Sequence, residues 1–158
     1  IEFSKRGFAQ TYLVYWQEAD EKEFIGYYTI AMKHFSVCKK QLSNKLFSRV
    51  KQHGTYNIAT GEYIISAPLI AQLGKNFDRG NDTLISGSEI LQMAIDRIRG
   101  IQREIGGKFL YLECEEKEKL IEFYEANHFV SFGKRELDRD ETDLEGNYLI
   151  QLLQYREV

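Results

Sequence analysis

Residues 88–105 read SEILQMAIDRIRGIQREI, with Leu91, Ala94, Ile95, Ile98, Ile101 and Ile105 recurring at helical spacing. That period puts them on one face of an α-helix, and Gly106-Gly107 supplies the stop, because glycine takes left-handed backbone without steric cost. Just beyond, Lys108–Cys114 is short and apolar-rich, as a buried strand following a helix would be. Residues 117–127 then place Leu120, Phe123 and Tyr124 on one helical face. Upstream, 63–77 reads as a strand interrupted at Ala67-Pro68, where the missing N–H predicts a bulge or a free edge. Strand, helix, strand, helix in succession predicts a mixed α/β chain.

Farther out, Phe8–Trp16 is rich in aromatic and β-branched residues and reads as a strand; polar 17–23 turns the chain, and Phe24–Phe35 is its partner. Residues 39–53 carry Leu42, Leu46, Phe47 and Val50 on one stripe with Lys40, Lys45, Arg49 and Lys51 off it, which predicts an amphipathic helix. Residues 129–137 and 147–155 alternate as a closing antiparallel pair joined by the acidic 138–145 loop.

A chain of 158 residues suits one domain spanning 1–158, since ~100–150 residues most often share one core. Net charge is only −3, so the whole-molecule field does not draw the chain to nucleic acid or anionic lipid, and any such attraction must be local. Two distant cysteines, Cys38 and Cys114, fit neither a metal site nor a disulfide framework and are expected in the core. The histidines have no metal-ligand spacing, so no metal is assigned. With no run of ~18 apolar residues and no leader, a cytoplasmic location is expected. The start, Ile1 to Gly7, looks like a helix tail closed by glycine, as if the chain began inside a longer protein.

Two segments could carry chemistry. At Ser86-Gly87-Ser88-Glu89 a loop opens a long helix, whose first turn offers unpaired N–H groups and about half a positive charge to an anion such as phosphate. Ser86 and Glu89 also form an S-x-x-E capping box, which would use the same donors. Residues 120–129, LIEFYEANHF, run a short helix into a strand; core packing is the plain reading, and Tyr124 adds a phenol.

In this order the segments resemble the GNAT superfamily of acyl-CoA N-acyltransferases. There a bulged strand leads to a pyrophosphate loop patterned Q/R-x-x-G-x-G/A, then a long helix, a strand, and a helix bearing F-Y-x-x-x-G-F. Phe123-Tyr124-Glu125-Ala126-Asn127-His128-Phe129 matches the last pattern except that His128 stands at the glycine. Asp82-Thr83-Leu84-Ile85-Ser86-Gly87 occupies the loop, with Asp82 at the Q/R position and Ile85 at the first glycine. The resemblance runs from about Gly7 to the end. It implies an α+β fold: a largely antiparallel twisted sheet, a splayed central strand pair and flanking helices, with the opening strand and first helix missing here. It implies acetyl-CoA as co-substrate and a primary amine on a small molecule or protein as acceptor. Leu73, Gly74 and Lys75 would meet the acyl carbonyl and pantetheine arm, the glycine allowing close approach. Ile85, Ser86, Gly87 and Ser88 would direct N–H groups at the pyrophosphate, Lys75 or Arg79 adding charge. Tyr124 would protonate the departing thiolate. No base is singled out among Glu62, His34 and Glu113.

Alternatives are a degenerate domain that only binds acyl-CoA, motivated by Asp82 and Ile85, and a toxin that acetylates aminoacyl-tRNA. The second is motivated by residues 31–61, which hold six Lys/Arg and no Asp or Glu. A solvated helix face is the plainer reading of that run, so RNA is a less favoured partner. The glutamates around the second helix, Glu113 to Glu125, would attract a cationic amine if they border the cleft, and solvent exposure is again the plainer reading. A homodimer is also among the expectations.

Overall fold

A computed structural model describes residues 7–141, 144 and 146–157. The helix tail expected before Gly7, and part of the acidic loop (142, 143 and 145), lie outside the described residues. Seven strands are β1 Ala9–Glu18, β2 Glu21–Val37, β3 Thr55–Asn57, β4 Glu62–Lys75, β5 Phe109–Glu115, β6 Val130–Glu136 and β7 Tyr148–Tyr155. The α-helices are α1 Asn44–His53, α2 Gly87–Ile105 and α3 Glu118–Ala126, with 3-10 segments at Lys39–Gln41 and Asp78–Leu84. The strands form a mixed, largely antiparallel sheet in the order β1-β2-β4-β5-β7-β6, with β3 pairing to β4.

Contacts divide the chain into two compact units, one of the residues up to Met32 with Pro68–Gly106, the other of Lys33–Ala67 with everything from Gly107. In the first, β1 and β2 make a hairpin whose turn is only Ala19-Asp20. The seven-residue polar turn expected at 17–23 is mostly strand, because exposed positions of a hairpin accept polar side chains. Register shifts between Val14 and Tyr15, which face Gly26 and Phe24, so the extra residue is Ile25 on β2. Helix α2 is the helix read from the sequence: Ile90, Leu91, Ala94 and Ile98 are fully buried, each large aliphatic side chain contributing about 1.5–3 kcal/mol. Gly26 makes this packing close, since a Cβ there would lie 2.7 Å from Ile90 Cδ1 and 2.8 Å from the Gly74 carbonyl oxygen.

In the second unit β5 is buried along Phe109–Leu112 and pairs with β7, which pairs with β6. Tyr111 stacks on Phe35 at 4.3 Å. The helix expected over 39–53 is in two pieces: the Gln41 side chain accepts the Cys38 N–H, and Ser43 starts α1 by accepting the Leu46 N–H. β4 runs through Ala67-Pro68 as one strand. Proline's fixed φ is compatible with extended backbone, and the boundary between the two units falls at that bond. Among the described residues no helix is long and apolar enough to cross a membrane.

Candidate functional site

The first unit holds the residues read as the cofactor loop. β4 ends at Leu73-Gly74-Lys75, all half-buried. Asn76 then anchors the chain, its N–H donating to the Ile25 carbonyl at 2.8 Å and its side-chain amide to the Phe24 carbonyl at 2.9 Å. Buried Asn81 donates to the same carbonyl at 3.2 Å and to the Glu23 carboxylate at 3.4 Å. The sequence reading missed both asparagines, which in a polar loop look like any turn residue. The loop between them kinks at Arg79 and Gly80, with φ of 53° and 73°. Lys75 Nζ donates to the Asp82 carbonyl at 3.3 Å, so its charge is spent partly on holding the loop. Arg79 is exposed beside Asp78.

Gly74 also has a packing reason to be glycine. A Cβ there would sit 2.6–2.8 Å from the Tyr27 ring and hydroxyl, so the missing side chain makes room for that phenol.

Ile85 is a core side chain, and Ser86 is the N-cap of α2. The capping box is fully formed: Glu89 N–H donates to Ser86 Oγ at 3.1 Å, and Ser86 N–H to a Glu89 carboxylate oxygen at 2.7 Å. The Ser86 N–H, and after it the Ser86 side chain, hold the Glu89 carboxyl below its usual range, so an anion sits where the sequence pattern asks for a phosphate. Gly87 and Ser88 form the first turn.

In the second unit, α3 carries Tyr124. Its ring packs edge-on against Phe123 at 5.0 Å and Phe129 at 6.1 Å, and no described residue hydrogen-bonds to its hydroxyl. Burial, then the neighbouring Cys114, raises the phenol's pKa, so the phenol is neutral at pH 7. Cys114 is buried as expected, its thiol pushed up to about 11. The helix closes with His128 at φ 70° while Phe129 N–H bonds back to the Tyr124 carbonyl. This is left-handed backbone, which explains why the pattern prefers glycine there.

Of the three candidate bases, Glu113 is fully engaged. It accepts from Arg135 at 2.6–3.1 Å and from the Tyr111 hydroxyl at 2.6 Å, and Gln151 donates to that hydroxyl at 3.0 Å. Burial, followed by the bond to Glu113, keeps Tyr111 protonated far above the usual tyrosine range. Exposed His34 has Nδ1 2.7 Å from Ser66 Oγ, and Glu62 is half-buried at the start of β4. Among the described residues no group of three or more His, Cys, Asp or Glu side chains is arranged to hold a metal.

No protein-family model and no curated protein matches the chain. Solved structures do. The toxin AtaT complexed with acetyl-methionyl-tRNAfMet matches with a TM-score of 0.57 at 18% identity, over 94% of this chain and 74% of that one. A tyrosine-to-phenylalanine mutant of KacT gives 0.57 at 13%, over 95% and 74%. The NatC complex bound to Gag peptide and CoA gives 0.52 at 14%, over 93% and 71%. All three are GNAT-fold acetyltransferases.

This chain has the GNAT fold. At such identities the likeness is one of fold. Within the GNAT fold, two of the residues that depart from its sequence patterns have a local cause here: Ile85 fills core, and His128 takes the left-handed backbone that closes α3.

Proposed function

We propose that this chain is an N-acyltransferase that acts as one domain, transferring an acetyl group from acetyl-CoA to a primary amine by direct attack. The observation that carries the reading is the Tyr124 phenol, half-buried, neutral and without a hydrogen-bond partner among the described residues. No buried side-chain polar atom among the described residues lacks a partner, so the Tyr124 hydroxyl is open to solvent and within reach of a ligand. Fold relatives crystallised with acetyl-CoA or CoA support the choice of co-substrate.

Acetyl-CoA would supply the thioester carbon and leave as a thiolate. Tyr124 gives that sulfur its proton, which suits a phenol protonated at neutral pH facing a thiolate whose acid has a pKa near ~8.5. Backbone groups of Leu73, Gly74 and Lys75 hold the acyl and pantetheine portion. Ile85, Ser86, Gly87 and Ser88 direct amides at the pyrophosphate, and Lys75 and Arg79 add charge. The Glu89 carboxylate already occupies the Ser86 amide, so it must swing away for the diphosphate to use that donor. The acceptor's proton goes to His34, Glu62 or a water; Glu113, tied to Arg135, is poorly suited. The reaction is read as cytoplasmic.

The test is a thermal-shift titration with acetyl-CoA paired with a coenzyme A release assay over a panel of amines. Saturation at 100 times the dissociation constant stabilises the fold by ~2.7 kcal/mol, and Glu89→Gln, which removes the competing anion, binds more tightly than the natural sequence. Absence of any shift would sink co-substrate use; a shift without turnover of any amine would favour the non-catalytic reading.

A second reading, acetylation of an aminoacyl-tRNA, has one observation behind it beyond the AtaT complex. Lys39, Lys40, Lys45 and Lys51 of the acid-free run are exposed on the 3-10 turn and α1. Yet Lys45 pairs with Glu157 at 2.6 Å, and Lys51 lies over Phe47, so part of that charge has local work.

A further inference from the structure

Gly74 stands at the strand end whose backbone the proposed reaction uses, and both faces of the sheet are filled there. On the α2 side the filler is Ile90. A Cβ on Gly26, in the adjacent strand β2, would lie 2.7 Å from Ile90 Cδ1 and 2.8 Å from the Gly74 carbonyl oxygen. Successive residues of a strand point to opposite faces, so Tyr27 stands on the face away from α2.

On that face the Tyr27 ring takes the place of the side chain that Gly74 lacks. Its Cε1, Cζ and hydroxyl oxygen lie 2.6, 2.7 and 2.8 Å from where a Gly74 Cβ would be, so the tip of a ring rooted in β2 covers the glycine of β4. The crossing is pinned two residues on, where Asn76 bonds to the Ile25 and Phe24 carbonyls at 2.8 and 2.9 Å. On its other flank Tyr27 has Leu13 of β1 in register. The ring is half-buried, and no described residue hydrogen-bonds to its hydroxyl, so what it presents is bulk.

A thioester carbonyl held by the backbone of Leu73 to Lys75 has its sulfur on the pantetheine side and its acyl tail on the other. A methyl fits beside a bare glycine. Each further methylene runs against the Tyr27 ring on one face or against the side filled by Ile90 on the other. A shaped apolar wall tells one methylene from none by roughly 10–200-fold.

We propose that Tyr27 is the wall that restricts the transferred acyl group to about the size of acetyl. This rests on the N-acyltransferase reading above and assigns the residue that sets its acyl preference.

The test compares acetyl-, propionyl- and butyryl-CoA on the natural chain and on Tyr27→Phe, Tyr27→Leu and Tyr27→Ala, by thermal shift for binding and by coenzyme A release for kcat/KM. The natural chain favours acetyl over butyryl on the order of tenfold or more. Tyr27→Phe keeps that ranking because it keeps the ring, Tyr27→Ala loses it, and Tyr27→Leu falls between. Circular dichroism verifies folding, and Tyr27→Leu, which retains an apolar side chain, decides the matter where Tyr27→Ala does not fold. A natural chain that takes butyryl-CoA as well as acetyl-CoA overturns the proposal, as does a folded Ala or Leu variant with the full preference for acetyl. Where acetyl-CoA binds and no amine turns over, the ranking of the thermal shifts decides in the same way. Where no acyl-CoA binds at all, the N-acyltransferase reading falls and Tyr27 falls with it.

Discussion

In the proposed reaction Tyr124 and Glu89 are the residues that matter most, and the sequence showed one better than the other. The F-Y pair was legible through the family pattern it matches, since by spacing alone core packing is the plain reading, and in the structure no described residue hydrogen-bonds to the hydroxyl. What spacing could not show is which claimant takes the donors at Ser86; both bonds of the capping box are made, so the cap holds them at rest. Tyr124→Phe removes the proton donor and little packing, since Phe fills the same space between Phe123 and Phe129. Its kcat is expected to fall on the order of 10²-fold with the KM for acetyl-CoA nearly unchanged, because the proton moves only in the transition state. Steady-state coenzyme A release measures both. Burial, then the neighbouring Cys114, raises the phenol's pKa, so in the proposed reaction the donor stays protonated across the neutral range and any alkaline loss that belongs to Tyr124 falls above the ordinary tyrosine value. A kcat that survives the substitution would remove the tyrosine from the reaction.

Among the elements, α2 was readable almost to the residue because periodicity, an N-cap and a terminal glycine all agree there. Elsewhere one signal overrode another. The stripe at 39–53 hid Ser43, a cap inside the expected helix. The close approach of β2, β4 and α2 was not visible at all, since it depends on partners far apart in sequence. Gly26 tests it directly. In Gly26→Ala the added methyl must displace Ile90 Cδ1 and the backbone oxygen of Gly74, and backbone does not yield cheaply. A destabilisation of about 1–3 kcal/mol is expected, lowering Tm by ~2–4 °C per kcal/mol in differential scanning calorimetry. A variant as stable as the parent would mean that β2 and β4 sit farther apart.

At the scale of the whole molecule the near-balance of 21 Lys/Arg against 24 Asp/Glu decides how the protein meets acid. Protonating the carboxylates leaves the basic residues uncompensated, and self-repulsion then favours unfolding. The carboxylates matter unequally. Glu89 and Glu157 are exposed, so their lowered values weigh little on stability. Glu141 is different: Arg135 donates to both its oxygens at 2.9 and 3.1 Å while also gripping Glu113, and the Asp138 N–H donates to it at 2.7 Å. Arg135, first by hydrogen bonding, holds the Glu141 carboxyl below its ordinary value in the folded chain. A folded value below the unfolded one means the stabilisation is complete above the unfolded pKa, about 4.3, and is lost as pH falls through the folded value. Melting temperature should therefore be flat from pH 7 to about 5 and drop steeply below about 4. Glu141→Gln, which cannot ionise, should melt lower at pH 7 and show a shallower acid limb, the two curves converging in strong acid. Parallel curves across the whole range would show that Arg135 and Glu141 are not coupled in solution.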